Sequence, residues 1–263
     1  MELGLRDKIA FVAGASRGLG AATARQLARE GARVAINARN GERLAAAAES
    51  IRAETGTQVL AVPGDVSSAA DIDRMLAQAV GQFGGLDILV TNSGGPPAGR
   101  FDELNDSHWQ AAVESMLLGA VRLIRAALPH LRKSGSAAVL TVTSYTVKQP
   151  LANLILSNSV RLAVIGLTKS LALELGSEGI RFNSILPAFT ETERVYELMA
   201  DRAQRNGTTV AGEIQKQAAA SPLGRMASPQ EFANAAAFLC SPAASYLTGV
   251  MLAVDGGMYK GTL

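Results

Sequence analysis

The chain has 263 residues, 48% of them hydrophobic and 18% charged, which suits one large domain with a full core. Its net charge is only +2, its lysines and arginines are dispersed, and aromatics are scarce, so the footprint of a nucleic-acid binder is missing. One cysteine, Cys240, excludes an internal disulfide, and it lies in an apolar stretch that suits a small core residue. No apolar run approaches the about 20 residues of a membrane span, because Arg122 and Arg125 interrupt the best candidate. Met1 to Lys8 is short and charged, without a signal-peptide core, and a cytoplasmic location is expected.

Lys8 to Ala13 reads as a buried strand running into Gly14-Ala15-Ser16-Arg17-Gly18-Leu19-Gly20, a glycine-punctuated turn. Helical spacing follows as far as Arg29, closed by Gly31. A strand, a glycine turn and a helix start form a phosphate cradle, since glycines admit the pyrophosphate and the first helical N–H groups point at it. Arg33 to Ala38 is a second strand, Glu42 to Glu54 a helix ended by Gly56, and Gln58 to Val62 a third strand leading into Gly64-Asp65-Val66. Ser67 or Ser68 caps a helix from Ala70 to Phe83. Asp87 to Thr91 is a fourth strand entering Asn92-Ser93-Gly94-Gly95, and Ser107 is the expected cap of a helix running from His108 towards Leu131. Ala137 to Thr143 is a fifth strand, Leu154 to Leu175 a long helix, and Ile180 to Leu186 a sixth strand. Residues 188–220 read as a polar, irregular lid with helical patches, partly apolar and suited to cover a substrate. Pro229 opens a helix to Leu239, and Val250 to Val254 is a last short strand. Strands alternating with helices imply an α/β fold: a doubly wound, Rossmann-like parallel sheet of about seven strands, covered on both faces, in a single domain over residues 1–263.

These stretches together resemble the short-chain dehydrogenase/reductase family over nearly the whole chain, most closely the branch with 3-oxoacyl-acyl-carrier-protein reductases. Gly14, Ser16, Arg17, Gly18, Leu19 and Gly20 resemble its cofactor loop, Asp65 and Val66 its adenine contact, and Asn92-Ser93-Gly94 its N-A-G element. Asn183 to Pro187 resembles its N-x-x-x-P stretch, with Thr190 and Thr192 at the family's nicotinamide contacts and Ala188 where it usually has glycine. Pro222-Leu223-Gly224-Arg225 and Thr248-Gly249 to Asp255-Gly256-Gly257 resemble its C-terminal signature. The resemblance implies binding of NAD(P)(H), hydride transfer at a carbonyl or alcohol of a small-molecule substrate, and a homo-oligomer, tetramer or dimer. Charge favours NADP(H) over NAD(H): the second strand ends Asn37-Ala38-Arg39 with no acid for a ribose hydroxyl, and Arg39 and Arg17 suit a 2′-phosphate.

The family's chemistry rests on an Asn, a Ser, a Tyr thirteen after the Ser and a Lys four after the Tyr. Ser144 holds the Ser position, but the Tyr position is Ser157, the Lys position Arg161 and the Asn position Met116. Residues 157 and 161 share a helix face. A serine hydroxyl is a far weaker acid than a phenol, and a guanidinium stays charged and relays no proton, though it donates to ribose hydroxyls and stabilises negative oxygen. Tyr145 and Lys148 follow Ser144 closely. Two readings of them stand open: a relocated proton-donating pair, or a packed Tyr145 beside a solvated Lys148. Three functions follow: an NADP(H)-dependent oxidoreductase with a non-standard proton donor, a nucleotide-binding sensor or assembly subunit without turnover, and a dehydratase or isomerase in which Ser144 and Arg161 stabilise an enolate-like oxygen. His108 and His130 lack partners at metal-ligand spacing, and no metal is expected.

Overall fold

Alternate residues of the first strand, β1 (Ile9–Val12), pack into different cores: Ala10 and Val12 into one apolar cluster, Ile9 and Phe11 into another. Period-two alternation that is apolar on both sides marks a strand covered on both faces. The computed structural model describes residues 2–262. Six further strands are β2 (Arg33–Ala38), β3 (Val59–Pro63), β4 (Ile88–Thr91), β5 (Ala138–Val142), β6 (Arg181–Pro187) and β7 (Met251–Val254). All pair in parallel, in the order β3-β2-β1-β4-β5-β6-β7, with Val12 opposite both Ile36 and Val90.

The helices in chain order are α1 (Gly18–Arg29), α2 (Gly41–Thr55), α3 (Ala69–Phe83), α4 (Asp106–Ala112), α5 (Gly119–Leu131), α6 (Ile155–Leu175), α7 (Glu193–Asn206), α8 (Val210–Ala219) and α9 (Pro229–Cys240). Leu27 of α1, Leu44 and Ile51 of α2 and Phe232 of α9 bury against one face of the sheet. Ile72 and Met75 of α3, Leu123 and Leu131 of α5 and Ala172 of α6 bury against the other. Cys240 lies fully in the first of these cores, where burial pushes its thiol up to about 12.

Three local departures have physical causes. Asn105, not Ser107, caps α4: its side chain accepts from the His108 N–H, and the Ser107 hydroxyl donates to Asn105 at 2.7 Å. The expected continuous helix is broken by a π-helical turn, Val113–Leu118, which sets Met116 inward and joins α4 to α5. The lid is more regular than its composition suggests. Thr209 caps α8, Gly207 takes the left-handed conformation after α7 (φ 63°), and the buried Glu213 carboxylate accepts from Thr208, Asn206 and Lys216 to join the two helices.

Candidate active site

β1 turns to β2 on one side while β4 lies on its other side, so a crevice opens at the carboxyl ends of β1 and β4. The Ala13 N–H donates to the Val90 carbonyl at 3.0 Å, and Asn92 Nδ2 donates to the Gly14 carbonyl at 3.2 Å, which ties the glycine turn to the Asn92–Gly95 loop. Gly14 and Gly18 have φ of 61° and 58°, the left-handed region that suits glycine. Gly20 is required for another reason: a Cβ there would lie 2.2 Å from the Gly14 carbonyl oxygen. Arg17, at the N-cap of α1, offers no side-chain cap, and the first turn holds no acid. The helix start therefore keeps its partial positive charge and N–H donors for an outside anion.

At the end of β3, the Asp65 Oδ1 accepts from both the Ser67 N–H and its hydroxyl, leaving Oδ2 outside that turn. The Val66 carbonyl lies close under Gly119, where a Cβ would sit 2.9 Å away. Buried Asn37 donates to the carbonyls of Val62 and Gly64, both at 3.0 Å, and holds the ends of β2 and β3 together. Arg39 is exposed and forms no ion pair among the described residues. Pro187 ends β6 opposite Val254. The Thr190 hydroxyl is buried without a hydrogen-bond partner, and the Thr192 side chain does not cap α7 although it occupies the cap position. Thr192 lies against Gly18 of the glycine turn, at the mouth of the crevice.

Arg161 projects from α6 to the sheet, where its Nη1 donates to the carbonyls of Val142 (3.1 Å) and Thr143 (3.2 Å). Burial, with repulsion from Arg194, pushes its guanidinium down to about 10, which leaves it charged at neutral pH. It lines a cleft with Val66, Asn92, Ser93, Ser115, Met116 and Val142 among others. The structure thus brings together Val66, Asn92, Ser93 and Arg161 of the expected residues. Among the described residues, no titratable side chain other than Arg161 lines this cavity. Met116 packs with Ala112, Leu156 and Val160. Ser157 is buried at 9% exposure. Ser144 accepts from the Thr146 N–H at 3.2 Å, so its own O–H remains a donor.

Tyr145 and Lys148 do not come together. Tyr145 is 3% exposed, packs edge-on against Phe189 with ring centroids 6.2 Å apart, and burial pushes its phenol up to about 12. The Lys148 ammonium instead lies 4.9 Å from the Tyr259 ring centroid. Apolar surroundings hold the phenol ring and an aromatic face holds the ammonium, so the two side chains engage different neighbours.

A second cavity, of about 100 Å³, lies under the lid between Phe189, Gln217, Met226, Asp255 and Met258. Sequence reasoning did not single out Ser115, Asp255 or Met258 as lining residues. Asp255 belongs to a stretch noticed for its glycines, but only the closure of the C-terminal segment on the lid brings it there. The lid itself is tied across the crevice. Arg194 donates to the Pro96 carbonyl at 2.7 Å, Arg17 donates to the Glu193 carboxylate, and Arg205 lies 3.2 Å from Glu103. Among the described residues no cluster of acidic, histidine or cysteine side chains is arranged for a metal, and no helix is long and apolar enough to cross a membrane.

Residues 14–259 match a family model described as enoyl-(acyl carrier protein) reductase. A 3-oxoacyl-acyl-carrier-protein reductase of Staphylococcus aureus is 35% identical over 256 residues, covering 96% of this chain and 98% of its own. Among solved structures, L-sorbose reductase from Gluconobacter frateurii, complexed with NADPH and L-sorbose, superposes with a TM-score of 0.94 at 35% identity, covering 99% of this chain and 100% of that one. A short-chain oxidoreductase from Pseudomonas aeruginosa PAO1, bound to NADPH and described as containing an atypical catalytic centre, superposes with a TM-score of 0.88 at 32% identity, covering 98% and 100%.

Proposed function

The chain belongs to the short-chain dehydrogenase/reductase family of oxidoreductases, and on that premise we propose that it is an NADP(H)-dependent enzyme acting on a carbonyl or alcohol without the family's tyrosine acid. The observation that carries this reading is the intact cradle. The backbone at Gly14 and Gly20 leaves no room for a side chain, the start of α1 is uncapped and free of acid, and the Thr190 hydroxyl is buried without a partner. These features fit a dinucleotide. Its pyrophosphate would lie on the start of α1, Asp65 and Val66 would meet the adenine, and Asn92, Ser93, Gly94, Pro187, Thr190 and Thr192 would flank the rest. When bound, the nicotinamide would supply or accept hydride at a substrate carbon. Arg17 and Arg39 support a 2′-phosphate, and the NADPH complexes of the two structural relatives support the same choice.

The chain's own residues then handle the oxygen. Arg161, held by the carbonyls of Val142 and Thr143 at the end of β5 and charged at neutral pH, donates to ribose hydroxyls or to negative charge developing on the substrate oxygen. Ser144 keeps its O–H free to donate to the same oxygen. The burial of Tyr145 and its raised pKa favour a packing role over a relocated donor, so the proton comes from solvent, and substrates that need little acid help fit best. An activated carbonyl, 3-oxoacyl compounds included, or an electron-poor double bond qualifies. The reading includes one dinucleotide-binding domain with a lid over 188–220, a homotetramer or homodimer, and a cytoplasmic location. The test is a parallel titration of NADPH and NADH followed by a carbonyl and enone panel read by NADPH absorbance. NADPH binding and substrate-dependent oxidation bear it out, and failure to bind either cofactor overturns it. Cofactor binding without turnover is the second reading, favoured by a cavity at Arg161 that no other acid or base faces. It predicts NADPH binding and a silent panel.

A further inference from the structure

The first turn of the lid helix lies directly on the cofactor turn. A Cβ placed on Gly18 would be 3.8 Å from the Cβ of Thr192. One residue on, the Glu193 carboxylate accepts a hydrogen bond from Arg17 and lies 4.0 Å from Arg43, and Glu197, a turn further, lies 3.6 Å from Arg17. Arg17 comes from the glycine turn. Arg43 comes from the first turn of α2, which starts just after Arg39 at the end of β2. Two guanidinium groups converging on one carboxylate are the arrangement that holds a bound oxyanion. A phosphate offers the same acceptor chemistry with a third oxygen and more charge. All three side chains are exposed, at 44% for Arg17, 54% for Arg43 and 63% for Glu193, so the carboxylate is held weakly enough to be exchanged.

We propose that Glu193 is an internal occupant of the Arg17–Arg43 pair, competes with the cofactor's 2′-phosphate for it, and so sets how strongly this chain prefers NADPH over NADH. The inference rests on the NADP(H) reading above. Its chemistry is specific: NADH carries no 2′-phosphate and leaves Glu193 in place, whereas NADPH must displace it. The competition is electrostatic and weakens as salt rises.

The test is binding of NADPH and NADH, by fluorescence or calorimetry at low ionic strength, to the wild type and to Glu193→Gln, Glu193→Ala, Arg17→Ala and Glu42→Gln. Glu42 is an exposed acid on the same turn of α2 and forms no ion pair among the described residues, so it reports the general effect of removing a negative charge. Exposed ion pairs are individually weak, so both Glu193 variants are expected to bind NADPH about 1.5- to 5-fold more tightly. Their NADH affinity and that of Glu42→Gln stay as in the wild type, while Arg17→Ala loses most of the NADPH preference. A wild type that prefers NADPH through Arg17, with Glu193 variants that bind it no better or worse, overturns this inference alone and makes the pair a clasp over the cofactor. Equal tightening by Glu42→Gln also overturns it, as a field effect. A wild type that does not discriminate the two cofactors overturns it together with the NADP(H) reading.

Discussion

Gly20→Ala is the sharpest probe of the cradle. The added methyl would lie 2.2 Å from the Gly14 carbonyl oxygen, 2.8 Å from its carbon and 3.0 Å from the Ala15 Cα. All three are backbone atoms, so no side chain can swing aside, and the first contact is more than 1 Å inside ordinary van der Waals distance. Overpacking of this kind costs about 1–3 kcal/mol. In a domain of this size each kcal/mol shifts Tm by about 2–4 °C, so a fall of roughly 2–12 °C is expected. Relief of the clash tilts the start of α1 away from the turn and misaligns N–H donors that a pyrophosphate would use. Hydrogen bonds to charged groups are worth about 1.5–3 kcal/mol each, so NADPH affinity falls at least about tenfold. Thermal melts and NADPH titration measure both effects. Gly94→Ala is the control, since a methyl there meets nothing within 4 Å and Tm stays unchanged. A Gly20→Ala protein with wild-type Tm and wild-type NADPH affinity would refute the reasoning.

Arg161→Ala is expected to lower kcat by about 10²–10³, the usual loss of one preorganised donor to a developing oxyanion, with Arg161→Lys recovering part of it. Tyr145→Phe changes turnover less than twofold; a hundredfold loss would reinstate Tyr145 as the proton donor. Glu213 has its carboxyl held down at about 2 from the usual 4.5, first by its bond from Thr208, then by those from Asn206 and Lys216. A depressed carboxylate stabilises the fold above its unfolded pKa, and that contribution disappears as pH falls from about 4.5 towards 2. Limited proteolysis of the lid should therefore accelerate across that window in the wild type, while Glu213→Gln is already susceptible at pH 7 and shows no such step. Cys240, buried with its thiol pushed up to about 12, should resist thiol reagents in the native protein and react fully in denaturant. Rapid native labelling would contradict the buried placement.

The sheet was readable because its grammar is local. Apolar runs such as Ile9–Val12 and Ala138–Val142, glycines such as Gly31 and Gly56 after helices, and Pro229 at a helix start each announce an element within a few residues. The cradle was readable for the same reason, because a strand, a turn and a helix start are contiguous. The lid was not. Glu213 looks like one surface acid among many, and only the approach of Asn206, Thr208 and Lys216 turns it into the joint between two helices. The fate of Tyr145 and Lys148 was equally hidden, since Phe189 and Tyr259 lie 44 and 111 residues away in sequence from the residues they engage. Spacing along a chain reports which residues share a face, and packing decides which of them remain available.

The π-helical turn carries a further consequence, for coupled substitutions. It points Met116 into an apolar patch made with Leu156 and Val160, on the very helix that bears Ser157 and Arg161. Asparagine at 116 would give up apolar contacts with Leu156 and Val160, and only the side that lines the cavity with Asn92, Ser93 and Arg161 offers its amide polar partners. Position 116 is therefore coupled by packing to its neighbours on α6. Met116→Asn alone is expected to lower Tm, and a more polar side chain at 156 or 160 to offset part of that loss. A double-mutant cycle between position 116 and position 156 or 160 should show strong coupling, because the three side chains share one apolar contact.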